Sequence, residues 1–119
     1  MSSSTEVLLA AIFYKLGMLY VNETVLTKIL NEVANNNKAL EWFSLHPQYL
    51  TSEVLDDMFL KFVLGGLIKR EFLDVNYITI MPRLAGKFGG AEFEKLNADE
   101  KEAVNEVVKL IRRHGNIDQ

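Results

Sequence analysis

The chain has no cysteine and few histidines among its 119 residues. The missing cysteine excludes disulfides, thiolate metal ligands and cysteine nucleophiles, and it fits a reducing compartment. The two histidines, His46 and His114, lie far apart, and neither belongs to a pattern such as His-x-x-x-His. We therefore expect no metal site and no cofactor.

The sequence also lacks a long hydrophobic run. Its most apolar stretch, residues 7–14, is followed by Lys15 and Gly17, whereas a membrane-spanning helix needs about 20 apolar residues. The first six residues contain no basic side chain, and no small-residue cleavage pattern follows the apolar stretch, so a signal peptide is not expected. These features predict a soluble cytoplasmic protein with no membrane partner.

Acidic side chains only slightly outnumber basic ones. The net charge is −3, which is less basic than is usual for a nucleic-acid-binding protein. Residues 65–90 nevertheless carry four basic and two acidic side chains. The chain is 49% apolar and 24% charged, which predicts a single globular domain over residues 1–119, with residues 1–4 disordered.

Motifs for catalysis are missing as well. No serine lies in a Gly-x-Ser-x-Gly context, and the glycine-rich residues 86–90 lack the spacing of a phosphate loop. Asp56 and Asp57 are adjacent, and adjacent residues of a helix do not face each other as a catalytic pair would. We therefore expect that the protein is not an enzyme.

The first half of the chain predicts two helices and a short strand. An apolar helix is expected to end at about Leu16, because Gly17 stops it. Residues 18–21 favour a strand. Asn22 is a natural cap for a second helix, which the asparagines at 35–37 are expected to end in a left-handed conformation.

The second half predicts helices around a β-hairpin. The expected elements are a helical turn at 39–45 that includes Trp42, a helix at 52–64 stopped by Gly65 and Gly66, strands at 67–73 and 77–81 joined by a turn at 74–76, a short helix from Pro82, and an amphipathic helix at 97–114 followed by Gly115. Asn97 and Glu100 form a capping-box pattern at the start of the last helix.

This order predicts a mainly helical α+β fold with a small antiparallel hairpin. Helix–strand–helix–helix–hairpin is the order of a winged helix-turn-helix, here with an added C-terminal helix, although other small α+β folds share it. The C-terminal helix either closes over the first helix as core or pairs with its copy in a homodimer. We favour the homodimer.

Three short stretches carry a family resemblance. Residues 24–30 (TVLTKIL) resemble the T-x-L-x-K-hydrophobic-L helix of YwgA-like and Panacea-type winged-helix proteins. Residues 46–57 with Gly66-Leu-Ile resemble their G-P-Y-S-x-x-L-x-x-D helix and G-L-I turn, and residues 77–86 are similar to their Y-x-L-T-x-x-G strand. The match spans residues 22–88, with His46 in place of the usual glycine and Pro82 displacing a threonine. The resemblance implies regulatory or toxin–antitoxin-type partner binding.

Basic side chains around the hairpin suggest a DNA contact. Two of them start the hairpin and two follow it, so they are expected to gather at the base of the wing and contact phosphates. The alternative is that they only solubilise the surface. With one further lysine from the preceding helix, the candidate DNA-binding residues are Lys61, Lys69, Arg70, Arg83 and Lys87.

The helix at 52–64 points to a different function. In winged helices this element reads bases with basic or amide side chains, but here its outer side carries carboxylates and a leucine. The candidate protein-interface residues are Glu53, Asp56, Asp57 and Leu60. The sequence thus favours a winged-helix regulator associated with double-stranded DNA. The alternative is a scaffold that binds a protein partner.

Overall fold

A computed structural model describes residues 5–17, 20–37, 53–72, 75–87 and 93–117. In chain order the elements are α1 (Thr5–Leu16), β1 (Tyr20–Asn22), α2 (Glu23–Asn36), α3 (Glu53–Leu64), β2 (Ile68–Phe72), β3 (Asn76–Ile80), α4 (Pro82–Lys87) and α5 (Ala98–Ile117). The predicted class, mainly helical with a small antiparallel sheet, is confirmed at this level. The expectations for residues 1–4 and for the helical turn at 39–45 lie outside the described residues.

Helix α1 is the centre of the core. Its side chains from Leu8 to Phe13 are all buried, as expected for a helix that is apolar on every side. The ring of Phe13 lies 6.5 Å from that of Phe59 and 6.0 Å from that of Phe62 on α3. Gly17 ends the helix as predicted, with a φ of 61° that glycine adopts without a steric penalty.

Helix α2 begins as predicted and ends differently. The side-chain oxygen of Asn22 accepts a 3.1 Å hydrogen bond from the backbone N–H of Val25, which caps the helix. At the other end Asn37 is extended (φ −144°, ψ 116°), so the predicted left-handed ending is wrong. In the last turn, the Asn36 side-chain amide donates to the Glu32 carbonyl at 3.0 Å.

The hairpin is part of a three-stranded antiparallel sheet. Strands β2 and β3 pair as expected, and β1 pairs with the other side of β3, which gives the order β1-β3-β2. In the register Val21, Ile78 and Arg70 lie side by side on one face, and Val21 and Ile78 are buried there. Asn76 belongs to β3 and not to the turn, because it pairs with Phe72.

Helix α5 closes the core. The Glu100 carboxylate accepts from the Asn97 backbone N–H at 3.0 Å, and the Asn97 side chain accepts from the Glu100 backbone N–H at 2.8 Å. The predicted capping box is therefore present. The helix continues through Gly115, which corrects the predicted end, because one glycine in a helix costs only about 1 kcal/mol.

The apolar face of α5 packs against α1 and α2 of the same chain. Ala103, Val104 and Val107 are fully buried there, and Val108 and Ile111 are nearly so. These side chains are not available to a second copy, because they already form the chain's own core. The helix pairing that we favoured for a homodimer is therefore wrong, and the core alternative describes α5.

Candidate interaction surfaces

Helix α3 presents a distinct outer side. Its inner side chains Leu55, Phe59 and Phe62 are buried. Leu60 and Leu64 lie on the opposite side and are 55% and 79% exposed. Helix periodicity places Asp56, Leu60 and Leu64 in one row, four residues apart. The helix is therefore held firmly by aromatic packing while it offers leucines to solvent.

Acidic side chains border these leucines. Asp56 and Asp57 are both exposed in the first half of α3, as predicted, and Lys61 is exposed beside them. Glu53 is the first residue of the helix, and its side chain lies outside the described residues. Asp56, Asp57 and Leu60, which are the predicted interface residues with described side chains, therefore share one exposed face.

Arg70 connects α3 to the sheet. Its Nε lies 2.7 Å from Glu23 Oε1 on α2, and its Nη2 lies 3.9 Å from Asp56 Oδ1 on α3. The guanidinium carbon lies 5.2 Å from the ring centre of Phe59 and 5.3 Å from that of Phe72. Phe72 is 64% exposed at the end of β2. Arg70 therefore contacts both this exposed ring and Asp56 on the acidic side of α3.

We call this region the α3–β2 surface. It consists of Asp56, Asp57, Leu60, Val63, Leu64 and Phe72. All six are exposed, and four of them are apolar.

The predicted basic cluster at the hairpin base is divided by the sheet. Neighbouring residues of a strand point to opposite faces, so Lys69 shares the outer face with its register partner Thr79 while Arg70 faces α3. Arg70 is also engaged by two carboxylates. The expectation that Lys69 and Arg70 act together is therefore wrong, since one is turned inward and ion-paired.

The other predicted basic residues remain around the start of the hairpin. The Arg83 side chain lies beside Gly66. A Cβ atom added to this glycine would lie 3.7 Å from the Cδ of Arg83. Gly66 itself has a φ of 74°, which is the left-handed conformation that lets α3 turn into β2. Lys87 is the last residue of α4. Lys61, Lys69 and Arg83 are all exposed.

A second basic region was not found from the sequence. A cavity of about 540 Å³ lies between the end of α1 and the second half of α5. The described residues that line it are Lys15, Asn105, Val108, Lys109, Arg112 and Arg113. The spacing of Lys109, Arg112 and Arg113 already placed these residues on one side of α5, but only the fold brings Lys15 beside them.

Other site types are not found in the part of the chain that is described. There, no group of three or more histidine, aspartate or glutamate side chains is placed to hold a metal ion. No helix of these residues combines the length and the apolar character needed to cross a membrane.

Compared with protein-family models, curated proteins and solved structures, the chain matches none of them. The resemblance to YwgA-like winged-helix proteins therefore stays a prediction.

Proposed function

We propose that this protein binds a protein partner through the α3–β2 surface and is a winged-helix scaffold for that contact. The observation that carries the proposal is the exposure of Leu60 and Leu64 on a helix whose other side is locked into the core. Exposed apolar groups with a polar border are typical of protein-binding sites.

Charge complementarity indicates the chemistry of the partner. Asp56 and Asp57 flank the leucines, so the partner presents apolar side chains flanked by lysine or arginine. A second copy of this chain, docked by the same face, would place these carboxylates against each other. A basic amphipathic helix is the simplest complement, because it lays one apolar stripe along another.

The order of the elements supports the winged-helix interpretation. The chain runs α1-β1-α2-α3-β2-β3, and its first strand joins the hairpin on the β3 side. In that fold α3 is the helix offered to a ligand. Carboxylates at the outer side of α3 repel phosphate, which favours a protein ligand over DNA at this helix. Regulatory partner binding is also what the family resemblance implies.

A pair of synthetic peptides tests the proposal. We expect a 20-residue amphipathic helix of leucine and lysine to bind the full-length protein, with perturbed amide NMR signals along α3. A matched peptide of leucine and glutamate is expected not to bind, because its charge repels Asp56 and Asp57. Leu60→Lys is expected to weaken binding of the lysine peptide at least tenfold.

The control variant is Tyr20→Lys, because Tyr20 is 55% exposed, as is Leu60, but lies on β1. It is expected to leave peptide binding unchanged. Equal binding of both peptides, or equal loss in both variants, would show that the α3–β2 surface is not the site. Self-association that is lost with Leu60→Lys would instead identify a second copy as the occupant.

DNA-associated regulation is the second candidate function. It is favoured by the exposure of Lys61, Lys69 and Arg83 around the hairpin, where a winged helix contacts phosphates. In this alternative Arg70 acts within the fold and not on DNA. Binding to duplex DNA that falls steeply with salt would support it.

A further inference from the structure

We infer that the cavity between α1 and α5 is a binding site for a small polyanion that carries several phosphate groups. This site is separate from the α3–β2 surface and does not depend on the proposed function. It is lined by four basic side chains, although the chain as a whole has a net charge of −3. None of the described residues that line it carries a carboxylate.

Arg112 builds the site by joining the two helices. Its Nη2 donates to the backbone carbonyls of Lys15 at 2.8 Å and Leu16 at 3.0 Å, and its Nε donates to Leu16 at 3.2 Å. These bonds cover the negative end of α1, where carbonyls lack helical partners. The charge of Arg112 is therefore largely used within the fold, and Arg112 acts as a positioning residue.

Three cations remain to meet a ligand. Lys109 and Arg113 are exposed and lie one helical turn apart on α5, so their side chains are neighbours. Lys15 approaches from α1, with its Nζ 4.4 Å from the ring centre of Phe93. Asn105 adds an amide that can donate a hydrogen bond to an anion oxygen.

The shape and charge of the surroundings favour a compact ligand. The cations come from two helices and converge on one cavity, whereas a nucleic-acid backbone needs a basic strip that follows its length. Along α5, the preceding turns carry Glu102 and Glu106, which would repel an extended polyanion. A small polyphosphate can stay within the cavity, whose described lining residues carry no carboxylate.

Titration with tripolyphosphate tests this site on the full-length protein. We expect saturable binding by calorimetry, with amide NMR shifts confined to Gly17 and to α5 around Lys109. The double variant Lys109→Ala/Arg113→Ala is expected to weaken binding at least tenfold. It leaves Arg112 intact, so the contact between α1 and α5 is preserved.

The matched control is Lys69→Ala/Arg83→Ala, which removes one lysine and one arginine at the hairpin. It is expected to bind tripolyphosphate as the unchanged protein does. Equal weakening in both double variants, or no saturation at 10 mM, would overturn the site. Tighter binding of a 20-base-pair DNA duplex with the same α5 shifts would also overturn it, because the ligand would then be an extended polyanion.

Discussion

At the scale of single residues, the ion pairs of Arg70 distinguish it from the other basic residues of the hairpin. The sequence gives no reason to separate it from Lys69, which precedes it. In the fold Arg70 is the partner of Glu23 and lies between the rings of Phe59 and Phe72. It therefore holds α2, α3 and β2 together, and its charge is neutralised from within the chain.

The Glu23–Arg70 pair is expected to stabilise the fold. Glu23 and Arg70 side chains are only 12% and 23% exposed, so removing one partner leaves the other poorly solvated. We expect Glu23→Gln to lower the free energy of unfolding by about 1–3 kcal/mol. Urea unfolding measures the change.

Asp56→Asn is the comparison variant for this pair. Asp56 lies 3.9 Å from Arg70 and is 61% exposed, so we expect a loss below about 0.5 kcal/mol. The double variant Glu23→Gln/Arg70→Met should lose less than the sum of its parts. Equal losses for Glu23→Gln and Asp56→Asn would contradict a special role for the 2.7 Å contact.

At the scale of elements, α5 shows how a local motif fixes the start of a helix. Asn97 and Glu100 satisfy each other's backbone N–H groups, and Glu100 is only 2% exposed. The carboxylate also lies in the first turn, where the helix dipole favours it. The cap therefore fixes where α5 begins, and the apolar periodicity that follows determines which face meets the core.

Loss of the cap is expected to destabilise the whole domain. We expect Asn97→Ala to lower the free energy of unfolding by about 1 kcal/mol, because the side-chain acceptor for the Glu100 N–H is removed. Asn97→Ser retains an acceptor and is expected to lose only a few tenths. Thermal and urea unfolding distinguish these variants, and equal stability of the two would argue against the side-chain bond.

At the scale of the whole molecule, charges are sorted into separate regions. The outer side of α3 is acidic, the start of the hairpin is basic, and a second basic region lies between α1 and α5. The net charge of −3 does not show that acidic and basic side chains lie in separate regions. Different anionic and cationic ligands can therefore meet different faces of one small domain.

Salt dependence separates a DNA function from the proposed protein contact. If the residues around the hairpin bind DNA, a plot of the logarithm of the association constant against the logarithm of salt concentration falls. Its slope is about −0.9 for each phosphate that the protein neutralises. Lys69→Ala and Arg83→Ala should each reduce this slope by about 1. Lys28→Ala on α2 is the control, and it should leave the slope unchanged. No binding to mixed-sequence duplex at 50 mM salt would exclude the DNA candidate.

Several elements followed directly from local sequence signals. Gly17, Asn22, the Gly65-Gly66 pair and the Asn97–Glu100 box mark element ends because their effects act within a few residues. The row of Asp56 and Leu60 on the outer side of α3 also followed, since helix periodicity alone places them. The exposed side of α3 was therefore predictable in outline, whereas its use as an interface stays a prediction.

Other features were decided only by the tertiary structure. Pairing of β1 with β3 joins residues 20–22 to residues 77–79, and no local pattern encodes such a distant contact. The same holds for Arg70 turning towards Glu23, and for Lys15 joining Lys109 and Arg113 at one cavity. From the sequence, the apolar stripe of α5 could pack either against a second chain or against the core of its own chain. The contacts of α5 with α1 and α2 show that it packs against its own core. Local chemistry thus determined where elements begin and end, whereas the fold determined which charges are neutralised within the chain and which stay exposed.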